Sequence, residues 1–340
     1  MMPQAFLTAR QKRRSALTPA VLALLLAMMA SLFVGQYPVG PAQLAELFSG
    51  RGGGPSQLAA VVFQIRLPRI AAALLVGAAL SAAGAIFQAL FRNPLAAPDI
   101  LGVATGAGLG AALGIYLSLP APAVQLAAFT GGLAAVAAVY VLSSWVRGHE
   151  PVLVLVLVGV VVGALAGAGL SLLKFLADPH DQLPAITFWL LGSLSAVRPQ
   201  DTLLAAALVA VALVPVWLLR WRVNLMALGD AEAAALGVEV TRLRLVLIAC
   251  ATLMTAAVVA LAGVVGWVGL MVPHIARLLA GPSLARALPL AVIVGATFLL
   301  VVDDFARSIG NVEVPLGVLT AALGAPFFLY LLARSGRAGR

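Results

Sequence analysis

Three arginines at predicted helix ends have the type and spacing for recognition chemistry. Arg66 and Arg69 lie one helical turn apart on a single face, and Arg307 closes another predicted helix. Pro68 fixes the start of the first helix without the loss of an internal hydrogen bond. A guanidinium binds a carboxylate through two hydrogen bonds, so a rigid arginine pair suits an acidic side chain of a partner. Arginine tips that merely rest at lipid headgroups would have the same spacing, and the spacing leaves both readings open.

Metal, nucleotide and nucleophilic chemistry lack the residue patterns they need. The histidines and the single cysteine are His149, His180, His274 and Cys250. None has a partner at ligand spacing, so we predict no metal site, disulfide or cofactor. A Walker A loop needs lysine between glycine and Ser or Thr, and neither Lys12 nor Lys174 has these neighbours. Ser193 and Ser195 follow Gly192 without a Gly-x-Ser-x-Gly pattern. The sequence therefore predicts no catalytic residue, and ATP hydrolysis would belong to another polypeptide.

Small residues recur every four positions in two apolar stretches. They are Gly106, Gly110 and Gly114 in one stretch, and Gly159, Gly163 and Gly167 in the other. This spacing puts each set on one helix face, where neighbouring backbones can approach closely. Phosphate-binding loops are also rich in glycine, but they need a preceding strand, and these stretches predict helix of the lipid-spanning type. We therefore expect helix packing beside a pathway.

Membrane-spanning helices are the elements that must position these residues. Of 340 residues, 63% are hydrophobic and 10% charged, whereas soluble domains average about 25% charged residues. The mean hydropathy is +1.09 over the whole chain. A span needs about 20 mostly apolar residues, and such stretches follow one another here. We predict a single transmembrane domain, residues 1–340, with spans at 17–36, 66–91, 99–119, 122–145, 151–175, 202–220, 242–264, 267–280, 287–306 and 315–333.

Three further features concern the ends and the symmetry of this domain. Segment 187–194 is apolar but too short to span, and we expect a helix at the membrane interface. The basic stretch before residue 16 is similar to that of a signal peptide, but the apolar run is long and has no clear cleavage site, so we predict an uncleaved first helix. The second and seventh spans open with similar basic motifs. With five spans in each half, such a repeat must be inverted in the membrane.

Lysines and arginines are distributed unevenly between the two sides that ten spans define. With the N-terminus in the cytoplasm, 15 lie on the inner side and six on the outer side, which accounts for all 21. The inner set is Arg10, Lys12, Arg13, Arg14, Arg92, Arg147, Arg220, Arg222, Arg242, Arg244, Arg277, Arg286, Arg334, Arg337 and Arg340, and the outer set is Arg51, Arg66, Arg69, Lys174, Arg198 and Arg307. Cytoplasmic loops are rich in Lys and Arg, so both termini are predicted inside. This placement explains the net charge of +9 without a nucleic-acid partner.

The longest predicted cytoplasmic loop runs from Arg220 to Arg244. Alanine, leucine and glutamate within it favour helix, and Gly229 and Gly237 would punctuate it. A pair of short exposed helices on the inner face would suit contact with a partner. An ordinary amphipathic loop is the alternative that the composition leaves open.

A series of motifs runs in order along the chain. It comprises Arg66-Leu67-Pro68-Arg69; Gly77 to Gln88 leading into Asn93-Pro94-Leu95-Ala96; Leu101-Gly102-Val103 with Gly106-Ala107; Ala227-Leu228-Gly229 with Leu236-Gly237-Val238; Gly266-Trp267-Val268-Gly269-Leu270 with Val272-Pro273-His274 and Arg277-Leu278; and Glu313-Val314-Pro315-Leu316-Gly317 with Leu323-Gly324-Ala325-Pro326. Together they resemble the FecCD-like permeases of ATP-binding-cassette (ABC) importers for siderophores, haem and vitamin B12.

The resemblance implies an all-α polytopic fold of about ten transmembrane helices in two inverted five-helix halves. It also implies a second permease copy, two ATPase subunits, a periplasmic binding protein and a place in the bacterial inner membrane. Arg66, Arg69 and Arg307 match the arginines that receive acidic residues of the binding protein, which favours docking over headgroup contact. Residues 224–240 resemble the helices that couple to the ATPase, with Leu228, Gly229, Asp230, Glu232, Leu236 and Gly237 as the site residues. The chain departs from some relatives at 149–152, which leaves the inner gate chemistry open.

Three functional classes remain to be weighed. An importer permease needs no catalytic residue of its own. A secondary carrier would need ionisable residues deep in the helices, and we find none near the middle of a span. An intramembrane enzyme would need a paired nucleophile and base, which the sequence lacks. The importer is therefore predicted, with an iron–siderophore complex as the foremost substrate and haem or cobalamin as alternatives.

Overall fold

The computed structural model describes residues 3–49, 57–146, 150–310 and 312–338, and this part of the chain is built of helices without strands. A π-helical segment, Val61–Arg66, joins α3 to α4, and a 3-10 turn, Pro98–Leu101, precedes α5. The helices are α1 Pro3–Ser31, α2 Pro41–Phe48, α3 Gln57–Ala60, α4 Leu67–Leu90, α5 Val103–Tyr116, α6 Ala121–Trp145, α7 Pro151–Leu176, α8 Gln182–Leu191, α9 Pro199–Met226, α10 Asp230–Ala235, α11 Val240–Ala262, α12 Val268–Ala280, α13 Leu284–Ala306 and α14 Leu316–Ala338.

Each of the ten predicted spans coincides with a helix, which confirms the all-α membrane fold. Within the described residues, six helical segments are long and apolar enough to cross a membrane: Gln57–Leu90, Ala121–Trp145, Pro151–Leu176, Pro199–Met226, Val240–Ala262 and Leu284–Ala306. The other four predicted spans correspond to shorter apolar helices: Ala16–Ser31, Val103–Tyr116, Val268–Ala280 and Leu316–Tyr330. The segment expected at the interface begins earlier than predicted, because α8 starts at Gln182, and it ends where Gly192 takes a φ of +73°.

Helices α4 and α11 form the centre of the molecule. The most apolar 18-residue windows of Gln57–Leu90 and Val240–Ala262 are 78% and 72% buried, against 22–28% for the corresponding windows of α6, α7 and α9. Helices α12 and α13 pack against α4, and α9 packs against both α4 and α11. The peripheral helices therefore present their apolar side chains outward, as lipid or a second subunit requires.

Glycines outside the predicted packing sets let α4 approach its neighbours closely. A Cβ atom on Gly77 would overlap the carbonyl oxygen of Gly295 in α13. A Cβ atom on Gly84 would likewise overlap the carbonyl oxygen of Gly269 in α12. Contacts between helix backbones at this range require small residues on both sides, and they hold α4 in the core.

The predicted packing glycines of α5 lie against α6. A Cβ atom on Gly110 would overlap the carbonyl oxygen of Ala127, and one on Gly106 would lie 2.5 Å from the Cβ atom of Ala135. These two positions tolerate no side chain without a shift of backbone, since the atoms they meet belong to the facing helix. The Gly-x-x-x-Gly face of α5 is therefore a seam between two helices.

The predicted packing glycines of α7 differ among themselves. A Cβ atom on Gly159 would overlap the carbonyl oxygen of Ile100, so this glycine is in tight contact. A Cβ atom on Gly163 would lie 4.0 Å from the Cα atom of Gly102, and one on Gly167 would lie 3.9 Å from a side-chain methyl group of α5. Both are ordinary contact distances. Backbone contact is therefore tight at Gly159, whereas Gly163 and Gly167 face the neighbouring chain with room for a methyl group.

This difference predicts unequal effects of the same substitution. Gly110→Ala should lower the midpoint of thermal unfolding, because overpacking a close contact costs about 1–3 kcal/mol. Gly163→Ala is the matched control, since it adds the same methyl group to a helix where there is room, and it should be neutral or slightly stabilising. Size-exclusion chromatography of the detergent-solubilised protein after heating measures both midpoints. Equal midpoints for the two variants would contradict the assignment of the α5–α6 seam.

Candidate functional site at the two ends of α4

Arg69, in the first turn of α4, is bound on two sides by carboxylates from distant parts of the chain. Its Nε atom donates to Asp303 Oδ2 and its Nη2 atom donates to Asp303 Oδ1, both at 2.9 Å. Its Nη1 atom donates to Glu313 Oε1 at 2.7 Å. Asp303 is fully buried, whereas the side chain of Glu313 is 33% exposed. Arg69 therefore has one inner and one outer carboxylate partner.

Arg307 forms the second part of this arrangement at the end of α13. Its Nη2 atom donates to the carbonyl oxygen of Ser31 at 2.9 Å and to its hydroxyl at 2.5 Å, and it also pairs with the carboxylate of Asp304. The hydroxyl of Ser31 donates to Asp304 at 2.7 Å. The Nε atom of Arg307 lies 3.9 Å from Asp303, so the carboxylate that holds Arg69 also faces Arg307. Helices α1, α4 and α13 are joined by these contacts.

Arg66 completes the group, which we call the Arg69 network; its members are Ser31, Arg66, Arg69, Asp303, Asp304, Arg307 and Glu313. The guanidinium of Arg66 donates to the carbonyl oxygens of Leu32 and Tyr37. It thereby holds the chain between α1 and α2 against the start of α4.

Both interpretations of these three arginines place their guanidinium groups at the outer surface, but the structure buries these groups; the docking role itself stays a prediction. Arg66, Arg69 and Arg307 are 3%, 7% and 6% exposed, and each is bound by groups of its own chain. Headgroup contact and direct docking both need guanidinium tips that are free. The reason is that α13 and the segment after it bring three carboxylates to the start of α4. Sequence spacing could not reveal this, because Arg69 and Asp303 are 234 residues apart.

The exposed carboxylate of the network lies in a segment that reaches the end of α8. The backbone nitrogen of Val314 donates to the carbonyl oxygen of Ala306 at 3.0 Å, which folds this segment back onto α13. The backbone nitrogen of Leu316 donates to the carbonyl oxygen of Gly192 at 3.0 Å. Glu313 therefore lies between the arginines and the junction of α8 with α14.

At the opposite end of α4, the loop predicted to hold two short helices contains one. Helix α9 continues to Met226, so the first part of the loop extends an existing helix, and only α10 is separate. Gly229, with a φ of +135°, and Gly237, with a φ of +84°, flank α10 as the sequence analysis expected of these glycines. Positive φ values favour glycine, so these two residues set the turns at both ends of α10.

Asp230, the first residue of α10, lies between two arginines. Arg92 donates through Nη2 to Asp230 Oδ1, and Arg244 donates through Nη2 to Asp230 Oδ2, both at 2.6 Å. Partial burial by itself would raise the pKa of Asp230, but the hydrogen bonds and charges of Arg244 and Arg92 outweigh it and lower that pKa. The carboxylate is therefore ionised at neutral pH. We call Arg92, Asp230 and Arg244 the Asp230 cluster.

The other residues predicted at this face lie around α10 without a common side-chain contact. Leu228 and Leu236 are 61% and 59% exposed, one before and one after α10. Ala233 is fully buried and holds α10 against the body of the protein. Glu232 is in the first turn, where its charge suits the helix dipole. Large exposed apolar side chains close together on one short loop are typical of a surface that contacts another protein.

The Arg69 network and the Asp230 cluster lie at opposite ends of one helix. Arg69 is in the first turn of α4, and Arg92 is two residues beyond its last residue, Leu90. A helix of 24 residues is about 36 Å long, compared with about 30 Å for the hydrocarbon core of a bilayer. Because Arg244 near the start of α11 and Arg92 after the end of α4 bind the same carboxylate, these two packed helices run antiparallel. An inverted repeat requires this direction.

One ionisable residue, Asp99, lies just before α5 and beside the middle of α7. Asp99 opens the predicted third span, but the chain after it packs against Gly159 and Gly163 of α7. These glycines are about 12 and 18 Å from the start of α7, near the middle of its length. Asp99 accepts a hydrogen bond from the backbone nitrogen of Ala104 at 2.9 Å, so it caps α5. Asp99 is exposed and precedes the first residue of α5, Val103, so it lies at the end of its span.

Other predicted or considered residues add no site. Within the described ranges, no three His, Cys, Asp or Glu side chains come together in a way that could hold a metal ion. His149, at the position where the inner gate was left open, lies outside the described residues, as do Arg51, Arg147 and Arg340.

The fold and these two polar clusters define an all-helical membrane permease, and comparison with known proteins gives its family. Residues 23–334 match the FecCD transport family. The chain therefore belongs to that family, which confirms the resemblance found in the sequence.

Individual relatives and a solved structure agree with this assignment. A Helicobacter pylori protein described as a probable iron chelatin transport system permease protein is 41% identical over 280 residues, 82% of this chain and 84% of the relative. The molybdate import system permease protein MolB of Haemophilus influenzae is 36% identical over 322 residues, 94% and 95% of the two chains. A solved structure described as a metal-chelate type ABC transporter in an inward-facing conformation has a TM-score of 0.85 and 34% identity, and the match covers 94% of this chain and 99% of that one.

These findings establish an ABC importer permease of the metal-chelate type, a multi-pass inner-membrane protein. The named substrates of its relatives differ in chemistry, from an iron chelate to molybdate. Family membership therefore does not select one of them.

The buried position of the Arg69 network predicts a large effect on folding. Asp303→Asn should sharply reduce folded yield, because breaking a buried ion pair costs about 3–5 kcal/mol. Glu239→Gln is the control, since it removes an exposed pair with Arg242 that contributes about 0–1 kcal/mol. Replacing the buried pair by Arg69→Met with Asp303→Leu should recover part of the yield, because no charge of that pair then remains unpaired.

Size-exclusion chromatography of the detergent extract measures the folded fraction of each variant. Normal yield and thermal midpoint for Asp303→Asn would contradict the structural role of the network.

Proposed function

We propose that this chain is the membrane subunit of an importer that receives an iron chelate, foremost a siderophore complex, from a periplasmic binding protein and passes it to the cytoplasm. Two separate ATPase subunits supply the energy, and the chain itself is not catalytic. The observation that carries this proposal is the pair of polar clusters at the two ends of α4. One lies at a surface with an exposed acidic segment, and the other lies beside α10 and its exposed leucines.

The importer is a homodimer with the translocation path at its axis. Helix α7 supports this arrangement, because it presents a row of exposed apolar side chains that the monomer leaves uncovered: Leu153, Leu157, Val160, Val161 and Leu165. Gly163 and Gly167 on the same helix leave space beside it. Both termini lie in the cytoplasm, in agreement with the excess of Lys and Arg on that side.

At the inner face, α10 and the turns around it contact the ATPase. Leu228 and Leu236 supply apolar contact area, and Gly229 and Gly237 shape the turns. Asp230 and Glu232 give this surface its acidic residues. The short helix is small enough to enter a cleft, and Ala233 anchors it to the permease.

At the outer face, the binding protein engages the Arg69 network through Glu313. Arg69, Arg66 and Arg307 are buried, so an incoming carboxylate reaches Arg69 only where Glu313 now binds it. Asp303 remains in place beneath, because it is fully buried. Docking in this form is an exchange of one carboxylate for another, and it keeps Arg69 paired throughout.

Transport in a reconstituted system tests the function. Proteoliposomes that contain the permease and its ATPase, with ATP inside, should take up a radiolabelled ferric siderophore only when the loaded binding protein is outside. Parallel assays with haem, cobalamin and molybdate separate the substrate classes. Uptake of any of these by the permease alone, driven by a proton or sodium gradient, would instead identify a secondary carrier.

The exchange of carboxylates predicts a gain of binding. Glu313→Gln removes the charge that competes for Arg69, so the binding protein should be captured more tightly and with a steeper dependence on salt. Glu239→Gln, an exposed change at the other face, should leave capture unchanged. Pull-down of the binding protein on the detergent-solubilised complex at low and high salt measures both variants. Unaltered capture by Glu313→Gln would exclude exchange at this residue.

A further inference from the structure

The carboxylate of Asp230 is shared between two elements that are far apart in the sequence. Each oxygen accepts a hydrogen bond of 2.6 Å from a different arginine. Arg92 lies in the turn after α4, 138 residues before Asp230, and Arg244 lies near the start of α11. Hydrogen bonds between charged groups are shorter and stronger than those between neutral groups. Asp230 therefore ties α10 to the two central helices of the fold at once.

The backbone on both sides of α10 supports a separate movement of this helix. Gly229 and Gly237 hold positive φ values at its two ends, and a Cβ atom on Gly237 would meet no atom within 4 Å. The turn at Gly237 is thus open rather than packed. Apart from the buried Ala233, the side-chain attachment of α10 is the pair of ion pairs at Asp230.

The two arginines differ in how firmly they are held. The side chain of Arg244 is 10% exposed, and its Nε atom is buried without a hydrogen-bond partner. The side chain of Arg92 is 42% exposed, and its backbone has a φ of +50°, which few residues other than glycine adopt. Arg244 is therefore held in place by its buried surroundings, whereas the more exposed Arg92 can move with the end of α4.

Helix capping does not explain these contacts. The N-terminus of α10 has no side-chain cap hydrogen bond, and both oxygens of Asp230 are used by arginines. Glu232, two residues further on, supplies the same charge to the helix dipole and forms no salt bridge among the described residues. A general need for negative charge at this helix would be met by either residue, whereas the ion pairs select Asp230.

We propose that Asp230 is the positioning residue through which movement of α10 reaches α4 and α11. This rests on the proposed function, in which α10 contacts the ATPase. When the ATPase displaces α10, the carboxylate of Asp230 transmits that displacement to Arg92 and Arg244. Helix α4 then carries the displacement along its length to Arg69 and the Glu313 segment at the opposite face.

The test uses the complete complex of permease, ATPase and binding protein in liposomes. Asp230→Asn keeps the shape of the side chain and removes its charge. We expect the ATPase to co-purify at wild-type yield and to hydrolyse ATP, while uptake of ferric siderophore per ATP falls about tenfold or more. The matched control is Arg242→Gln, which breaks the exposed ion pair with Glu239 at the start of α11, leaves Asp230 untouched and should leave uptake per ATP unchanged. Asp230→Glu should restore part of the coupling.

A second readout follows the path itself. Hydrogen–deuterium exchange at the end of α4 and the start of α11 should respond to ATP in the wild-type complex, and in Asp230→Asn the response should be confined to α10. If Asp230→Asn lowers the folded yield, Arg92→Gln serves instead, because it breaks the exposed ion pair and leaves the buried one. Arg92→Gln should then lower uptake per ATP and abolish the response at α4 alone.

The possible failures are distinguishable. Normal uptake per ATP in both Asp230→Asn and Arg92→Gln overturns this inference and leaves the proposed function intact. An equal loss in Arg242→Gln and Asp230→Asn also overturns it, because a change of charge outside the Asp230 cluster then has the same effect as loss of its ion pairs. Wild-type permease that neither co-purifies with the ATPase nor supports uptake overturns the proposed function and this inference with it.

Discussion

A guanidinium that is removed from water must keep hydrogen-bond acceptors, and this constraint, met largely by carboxylates, organises the outer end of the protein. Arg69 is buried, so the fold has to bring Asp303 to it from the end of α13 and Glu313 from the segment beyond. The carboxylate of Asp303 also faces Arg307, and Arg307 in turn holds the end of α1 through Ser31. Removing Asp303 would leave Arg69 with only the partly exposed Glu313, and removing Arg69 would leave the buried Asp303 with only Arg307, 3.9 Å away. The network therefore behaves as a unit, and a partner can bind to it only if a carboxylate of the partner replaces a carboxylate of the network.

A second constraint is that the central helix α4 must contact many neighbouring helices, and glycine makes these contacts possible. Gly77 and Gly84 let the backbones of α13 and α12 come so close to α4 that no Cβ atom would fit between them. A helix packed this closely moves as a rigid body, because tight packing leaves little room for its parts to shift independently. Rigidity along α4 is what allows events at the Asp230 cluster and the Arg69 network to be linked across the thickness of a membrane.

The polar clusters at the two ends of α4 differ in a way that suits their proposed partners. The Arg69 network is buried apart from Glu313, so its strength depends little on salt. The Asp230 cluster has one buried and one exposed arginine, so part of it is firm and part can respond. Around α10 the glycine turns and exposed leucines add mobility and contact area. A subunit that passes movement from one partner to another needs this combination of a rigid centre and adaptable ends.

The sequence by itself determined the class of fold, the positions of the membrane helices and the family, because apolar length and local motifs are properties of neighbouring residues. It also indicated the turns at Gly229 and Gly237 and the seam at Gly106 and Gly110. The tertiary structure decided which charges meet: Arg69 with Asp303, Arg92 with Asp230, and Asp99 with the backbone of α5. Arg69 with Asp303 and Arg92 with Asp230 are pairings over more than a hundred residues, and no local pattern encodes them. For this reason the arginines that looked like an open receptor proved to be buried, and the carboxylate that ties α10 to α4 and α11 appeared only in the folded chain.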